Sequence, residues 1–532
     1  MRSSIVDFLP DPLLPLFATL GCERYNAGEE RLMEWFIGDR NARIVWLNVI
    51  NGYAYVSTSL SFGGGLRVLL AIPRMLKIIG AVESRWHNEA VPRYTEVVAC
   101  WQGRSLLGMP AGELLDGARE VYDATIDYLT TLQAGLLGSA GGAEWLHKTV
   151  YDRLIRRPGD PDSVALVRGY DSAPIQAGKA LYNLAQWLNS QAELADYARR
   201  CHTQQLATDL SSPETPAALD ASAWREFQTR WQAHLERYGA MIYSLDFGQP
   251  LPMDEPAPLL ETLKLYASGT LASPYERQQR LAEQREAAVQ SIMQRQKGLK
   301  RWLFAKVLGW AQTFAPLRED SIAFIGYSYP QLRRMFKELG RRMVQAGAIE
   351  QPEDIFWLTE SEVEEAVTAL DLIEPQVARL VVIPQRQAEW QAQKRLSPPP
   401  ILPPKKGFSI GKMNMGGYYS AGSAAQVADL LKGIAASPGR ATAPACVLNG
   451  PEDFGQMQPG HVLVANITTP AWTPLFAMAV GVVTDIGGPL SHGSIVAREY
   501  GIPAVMDTGE ATRRIRSGQT ITVDGSAGTV TR

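Results

Sequence analysis

Cysteine and histidine are both scarce in this chain of 532 residues, with four of one and six of the other. Cys22, Cys100, Cys201 and Cys446 lack metal-ligand or redox spacing. They read as reduced, buried thiols, which suits a cytoplasmic protein and excludes a disulfide framework. The histidines are equally dispersed, with no HExxH or paired arrangement, so no metal site is expected. An excess of one charge is also missing: the net charge is −3, and no basic patch interleaved with aromatics occurs. Nucleic acid and acidic lipid are therefore not expected partners. No stretch of about 18 uncharged apolar residues is present, which excludes a transmembrane helix. The first dozen residues break their apolar run with two aspartates and two prolines, unlike a signal peptide. No phosphate-binding Walker loop occurs, because Gly138-Ser139-Ala140-Gly141-Gly142 precedes Lys148-Thr149 at the wrong spacing.

What is present suits a soluble multidomain protein. The chain is too long for one core, and 46% hydrophobic content is ordinary. Residues 397–406 are proline-rich and read as extended and semi-rigid. A weakly periodic stretch from Gly407 to Lys432 follows, so an interdomain connection is placed at 397–432. Upstream, the pattern is mainly helical, with long periodic segments over roughly 110–137, 174–199, 220–238 and 274–315. Leu332, Met335, Phe336, Leu339 and Met343 form an apolar stripe that ends before Gly347, and Thr359 with Glu362 has the pattern of a capping box. Residues 43–56 read instead as two strands around an Asn51-Gly52 turn. Leu69–Ile79 and Trp302–Trp310 are short, apolar and punctuated by basic residues. They are read as core helices or pocket walls, with a membrane-surface or partner-docking face as the alternative.

One histidine stands out. His492 lies in Gly487-Gly488-Pro489-Leu490-Ser491-His492-Gly493-Ser494, behind the apolar, strand-like Ala479–Val483. A helical pattern follows and stops at Gly501, with Pro503 just beyond. A strand that turns through glycines into a helix places the histidine at a helix N-terminus. Free backbone N–H groups and the helix dipole favour an anion such as phosphate there. Neutral imidazole can attack phosphorus at pH 7 and later release it. His492 is therefore the candidate catalytic residue. Gly488, Ser491 and Arg498 are candidate phosphate-binding residues; Ser491 could equally cap the helix, and Arg498 could pair with Glu499 or a neighbouring helix.

The surrounding text resembles the phosphohistidine swivelling domain of the PEP-utilising enzymes. The likeness runs from Gly433–Gly439, through Pro459–Ala465 and the histidine segment, to Val523-Asp524-Gly525. Pyruvate phosphate dikinase and PEP synthase usually carry Thr and Ala where this chain has Leu490 and Gly493; its pattern is closer to rifampin phosphotransferase-like proteins. Those two enzymes also have a PEP/pyruvate-binding barrel after this domain, whereas the sequence here stops at Arg532, so direct use of PEP or pyruvate is not expected.

The upstream region resembles the acceptor-binding domain of rifampin phosphotransferase-like proteins. The likeness rests on Leu9-Pro10-Asp11-Pro12, Asn51–Tyr55, Tyr238-Gly239, Leu245-Asp246-Phe247, Arg318-Glu319-Asp320, Glu338–Arg342 and Pro352–Thr359. Ala240 stands where relatives often have His, and Ile322 where some have Lys. Arg318 and Glu319 are the acceptor-site candidates. An arginine would stabilise a transferring phosphoryl group, and a carboxylate could accept the proton of an attacking hydroxyl. An exposed ion pair at a helix junction is the plainer reading of the same two residues. The relatives place an ATP-grasp domain ahead of this region, which here starts almost at Met1, so ATP and Mg are expected on a separate ATP-grasp subunit, an arrangement resembling phenylphosphate synthase. A chain trimmed of its first domain reads the same way.

The expectation is an α+β multidomain protein. A large, mainly helical acceptor-binding domain with a small β-hairpin (1–396) is joined by the Pro-rich linker (397–432) to a C-terminal β/β/α phosphohistidine swivelling domain (433–532). The resemblance implies a phosphotransferase subunit of dikinase type, with no cofactor bound by this chain alone. His492 would be charged by the ATP-grasp partner and would pass its phosphoryl group to a hydroxyl of a small hydrophobic phenol or alcohol. Apolar richness around 300–330 favours such an acceptor over a sugar. The alternatives are a catalytically degenerate small-molecule-binding or regulatory protein, or a phosphohistidine relay to another protein.

Overall fold

A computed structural model describes residues 8–41, 43–59, 81–132, 136, 138–217, 219–396, 398–399, 402, 409–410, 413–414, 430–488 and 491–532. The chain forms two compact units, each assembled from separated stretches. Residues 1–139, 244–249 and 324–406 make the first, and 140–243, 250–323 and 407–532 the second. These units do not coincide with the expected boundaries at 397 and 433. Helices between 140 and 323 group with the C-terminal sheet because they share one hydrophobic core with it. The segment Leu69–Ile79 and most of the connection at 397–432 lie outside the described residues.

The first unit is mainly helical. Its hairpin is formed by β1 (Arg43–Ile50) and β2 (Tyr53–Ser59), antiparallel as expected. Asn51 and Gly52 turn between them at φ 49° and 79°, the left-handed pair that a tight hairpin turn needs. The stripe from Leu332 to Met343 lies on the helix Tyr329–Gln345, and all five side chains are fully buried. Gly347 follows in the left-handed region at φ 75°. The Thr359 capping box is formed, with Glu362 Oε2 accepting from the Thr359 N–H at 2.7 Å. At the centre of this unit, Phe247 meets Phe17, Tyr122 and Phe336 at ring-centroid distances of 5.5, 5.1 and 5.4 Å. Residues 244–249 are pinned among the others by backbone bonds. Asp246 accepts from Leu14 N–H at 2.8 Å, Tyr329 donates to the Leu245 carbonyl at 2.8 Å, and Arg333 Nη1 donates to three carbonyls in a row.

In the second unit the expected helix 174–199 is two helices, Ala173–Asn189 and Ala192–Arg200, and 274–315 divides into Pro274–Arg295 and Gly298–Ala323. The second division falls at Gly298, whose φ of 54° a continuing helix cannot hold. Ala221–Tyr238 is a single helix capped by Asp220.

The small ladder β3 (Ser409–Ile410) and β4 (Met413–Asn414) precedes an eight-stranded sheet. Its strands are β5 (Leu430–Lys432), β6 (Ile434–Ser437), β7 (Arg440–Leu448), β8 (Val462–Ala465), β9 (Gly481–Thr484), β10 (Ala504–Met506), β11 (Thr520–Asp524) and β12 (Thr529–Thr531). They run in the order β5-β12-β11-β7-β8-β9-β10-β6, with β7 to β10 mutually parallel. The end of the expected linker is thus strand: β5 pairs with β12 at the sheet edge. One core joins Trp224, Phe227 and Leu263 of the helices to Phe454, Trp472 and Phe476 beside the sheet.

Two further expectations are corrected. Cys22 and Cys446 are buried, but Cys100 is exposed and Cys201 half-buried. Trp302–Trp310 has two faces: Phe304, Val307 and Leu308 are buried in a local core, whereas Trp302 and Trp310 point outward, 62% and 44% exposed. Among the described residues, no helix is long and apolar enough to cross a membrane.

Candidate active site around His492

The strand β9 ends at Thr484, and the chain turns through Gly487, at φ 146°, and Gly488 before the helix His492–Tyr500 begins. That helix closes at Gly501 in the left-handed region, φ 65°. His492 is its first residue and is buried, with 3% exposure. The residue after it is held to glycine by space. A Cβ at Gly493 would stand 2.4 Å from the Thr468 hydroxyl, so the departure from Ala there has a steric cause.

The two ring nitrogens face different surroundings. Nδ1 lies 3.4 Å from Glu319 Oε2, within ion-pair reach but without hydrogen-bond geometry. Nε2 lies 3.5 Å from the Thr473 hydroxyl, and the Phe476 ring meets the imidazole edge-on at 6.2 Å. Arg318 Nη1 donates to Glu319 Oε1 at 2.6 Å, so Glu319 sits between a guanidinium and the imidazole. Burial is the largest single influence on the Glu319 carboxyl and pushes its pKa up. Interaction with His492 and Arg318 outweighs it and holds the group below the usual carboxylate range. The pair is not an exposed ion pair, since the two side chains are 12% and 4% accessible.

The other sequence candidates have structural partners. Arg498 is buried, donating from Nε to the Ala436 carbonyl at 2.7 Å and from Nη1 to Glu144 at 2.9 Å. It pairs with neither Glu499 nor His492. Glu499 instead accepts from the Gly169 N–H at 2.8 Å, and burial pushes its pKa up to about 8. Ser491 occupies the N-cap position without a side-chain cap; its hydroxyl meets that of Ser494 at 3.1 Å. The Gly488 carbonyl accepts from the Ser491 N–H and the Ser494 hydroxyl, at 3.0 and 2.7 Å. Of the apolar residues near 300–330, Ala311, Ala315 and Pro316 line the cavity that Glu319 shares, whereas Trp302 and Trp310 are outward.

Sequence reasoning missed Thr473 and Glu144. Thr473 belongs to the run Thr468-Thr469-Pro470-Ala471-Trp472-Thr473-Pro474, a Thr- and Pro-rich turn whose composition marks a loop end. Glu144 has no local signal, because its partner is remote. Along the helix from Ile495 to Glu499, a cavity with about 600 Å³ of empty space, including its mouth, is lined by Glu144, Arg168, Arg318, Glu319, Arg498 and Glu499 among others.

A buried histidine at a strand–glycine turn–helix junction, backed by a carboxylate and an arginine from a helical region, defines a class. Residues 457–528 match the family described as PEP-utilising enzyme, mobile domain, and residues 136–319 match the rifampicin phosphotransferase fourth domain. The chain thus carries both of these domains, which confirms the resemblance seen in the sequence. Similar curated proteins include the prodigiosin synthesizing transferase PigC of Serratia marcescens, 30% identical over 67% of this chain and 38% of its own length. A rifampicin phosphotransferase of Streptomyces sp. is 28% identical over 67% of this chain and 40% of its length. The uncharacterized phosphotransferase YvkC of Bacillus subtilis is 35% identical over 43% of this chain and 27% of its length. The chain therefore spans less than half the length of each of these relatives.

Proposed function

We propose that this chain is the carrier and acceptor part of a phosphotransferase, in which His492 receives a phosphoryl group from an ATP-grasp partner and passes it to a hydroxyl of a small hydrophobic acceptor. The observation that carries this reading is the pairing of Glu319 with Nδ1 of a buried histidine at a helix N-terminus. A carboxylate beside Nδ1 favours the tautomer protonated there, which leaves the Nε2 lone pair free to attack phosphorus. Phosphorylation on Nδ1 would set a dianion against Glu319, so Nε2 is the nucleophile of choice. Arg318 keeps Glu319 ionised, and Glu319 then orients the ring instead of serving as a base toward the acceptor. The relatives named as phosphotransferases support the reaction class. ATP and Mg belong to the partner in this scheme, and no step requires either on this chain. The placement is cytoplasmic.

Intact mass under mildly alkaline conditions, on protein charged with phosphoramidate or with cell extract and ATP, tests this reading. Wild type is expected to gain one acid-labile phosphoryl group and His492→Ala none. An equal adduct on both proteins would sink the assignment.

A further inference from the structure

A second cavity lies on the Nε2 side of His492, with about 500 Å³ of empty space including its mouth. Pro174, Gly178, Tyr238, Tyr266 and Tyr500 line it, and among the described residues no Asp, Glu, Lys or Arg does. It is the opposite of the cavity that Arg168, Arg318 and Arg498 share with three glutamates. An anionic ligand would find no cationic partner among these walls, whereas a flat ring fits them.

Besides Thr262 and the tyrosine hydroxyls, two polar side chains in this lining bear on its ligand. His234 is 6% exposed and its Nδ1 has no hydrogen-bond partner. Its ring is stacked on Trp231 with centroids 5.9 Å apart. Burial pushes its pKa down to about 4, so the ring is neutral at pH 7. A buried, unpartnered nitrogen is costly, and a ligand's polar group would recover part of that cost. The second group is Thr473, which lines the cavity and lies 3.5 Å from His492 Nε2. One side chain therefore separates the cavity from the nitrogen assigned to carry phosphate.

We infer that this cavity holds the phosphoryl acceptor, and that the acceptor is a phenol bearing a second hydrogen-bonding substituent. The inference rests on the phosphohistidine reading above. The ring lies among the tyrosines, the second substituent meets His234, and the phenolic hydroxyl points toward Thr473 and Nε2. In the transfer, the phenolic oxygen forms the new O–P bond while the Nε2–P bond breaks, its electron pair returning to nitrogen. The phenolic proton passes to the vacated Nε2. The resulting imidazolium stands beside the Glu319 carboxylate, and no further base or co-reactant is needed.

Gly178 and Ala477 offer two ways to close the cavity from opposite walls, the helices Ala173–Asn189 and Thr473–Met478. A Cβ at Gly178 would sit at ordinary contact distance, 3.9 and 4.0 Å, from the hydroxyls of Tyr500 and Tyr266, so a longer side chain fills the space beyond. Wild type, Gly178→Met and Ala477→Phe, each verified as folded by circular dichroism, are titrated calorimetrically with 4-hydroxybenzyl alcohol and with cyclohexanol. Wild type is expected to bind the phenol at least about tenfold more tightly than either variant does, and more tightly than it binds cyclohexanol. The His234 ring-nitrogen NMR signal of wild type is expected to shift when the phenol is added. All three proteins should charge at His492 with phosphoramidate, and only wild type should pass the group to the phenol. Unchanged phenol binding in the folded variants, or an unmoved His234 signal, overturns the cavity assignment whatever His492 does; equal binding of cyclohexanol overturns the choice of a phenol. Phenol binding that the variants lose, with no phosphoryl group ever appearing on His492, upholds the cavity as a phenol site and overturns the carrier reading instead.

Discussion

Asp246 in the first unit and Glu319 in the second are both buried carboxylates, 2% and 4% exposed, yet their ionisation moves in opposite directions. Burial pushes Asp246 up to about 7, and the N–H groups of Leu14 and Gly248 that bond to it only partly offset this. Glu319 pays the same desolvation but is held below the usual range, because His492 and Arg318 attract its charge. Equal burial therefore has opposite electrostatic consequences, and the difference lies in what faces the carboxylate. Neutral amides make Asp246 a fastener for the segment 244–249. The Arg318 guanidinium and the adjoining imidazole make Glu319 an ionised group that can act on that ring.

The largest effect that sharpens this contrast is expected from removing the packing around Asp246. Phe247 is fully buried among rings of the first unit, and Phe247→Ala should cost roughly 3–5 kcal/mol in a denaturant melt. A loss below about 1 kcal/mol would show that this aromatic cluster does not hold the segment. Next is Glu319→Gln, which keeps the shape and removes the charge. The rate of phosphoryl uptake at His492 should fall about 10- to 100-fold, the size of loss seen when a metal-bound histidine loses the group that orients it. The pH profile of uptake should shift as well, and a merely structural role for Glu319 would leave that profile unmoved.

The smallest effect, taken per pH unit, is the pH dependence of stability. Asp246 has its folded pKa raised to about 7 above an ordinary value of 3.8, so between these values the folded form binds the extra proton. Stability contributed by this group therefore falls as pH rises from about 4 to 7, by at most about 1.4 kcal/mol per pH unit. Glu319 is depressed, so its contribution is present above the ordinary carboxylate range and is lost as pH falls below it. Melting wild type against Asp246→Asn across that window should show wild type losing ground to the variant as pH rises. Parallel curves would erase the contrast between the two carboxylates.

Much of the local structure was legible in the sequence. The Asn51-Gly52 hairpin, the stripe from Leu332 to Met343 and the Thr359 box all depend on neighbours a few residues away, and all are formed. The helix breaks at Ser190 and Gln296 were missed because apolar periodicity runs across them while the backbone turns. Core wall and exposed face both stayed open for Trp302–Trp310, because apolar composition alone does not say which face of a helix is buried. Arg498 was legible as a charge that could pair with a neighbouring helix, as it does with Glu144 on Gly138–Val150, but the identities of Glu144 and Ala436 were not, since both come from distant parts of the chain.

By itself, the sequence determined that a histidine would begin a helix behind a glycine turn, because caps, strands and helix stops are set by short-range backbone chemistry. Only the tertiary structure decided what faces each ring nitrogen: Glu319 on one side, Thr473 and an uncharged cavity on the other. Those neighbours come from stretches far apart in the chain, and it is their burial together that sets charge, tautomer and access at His492.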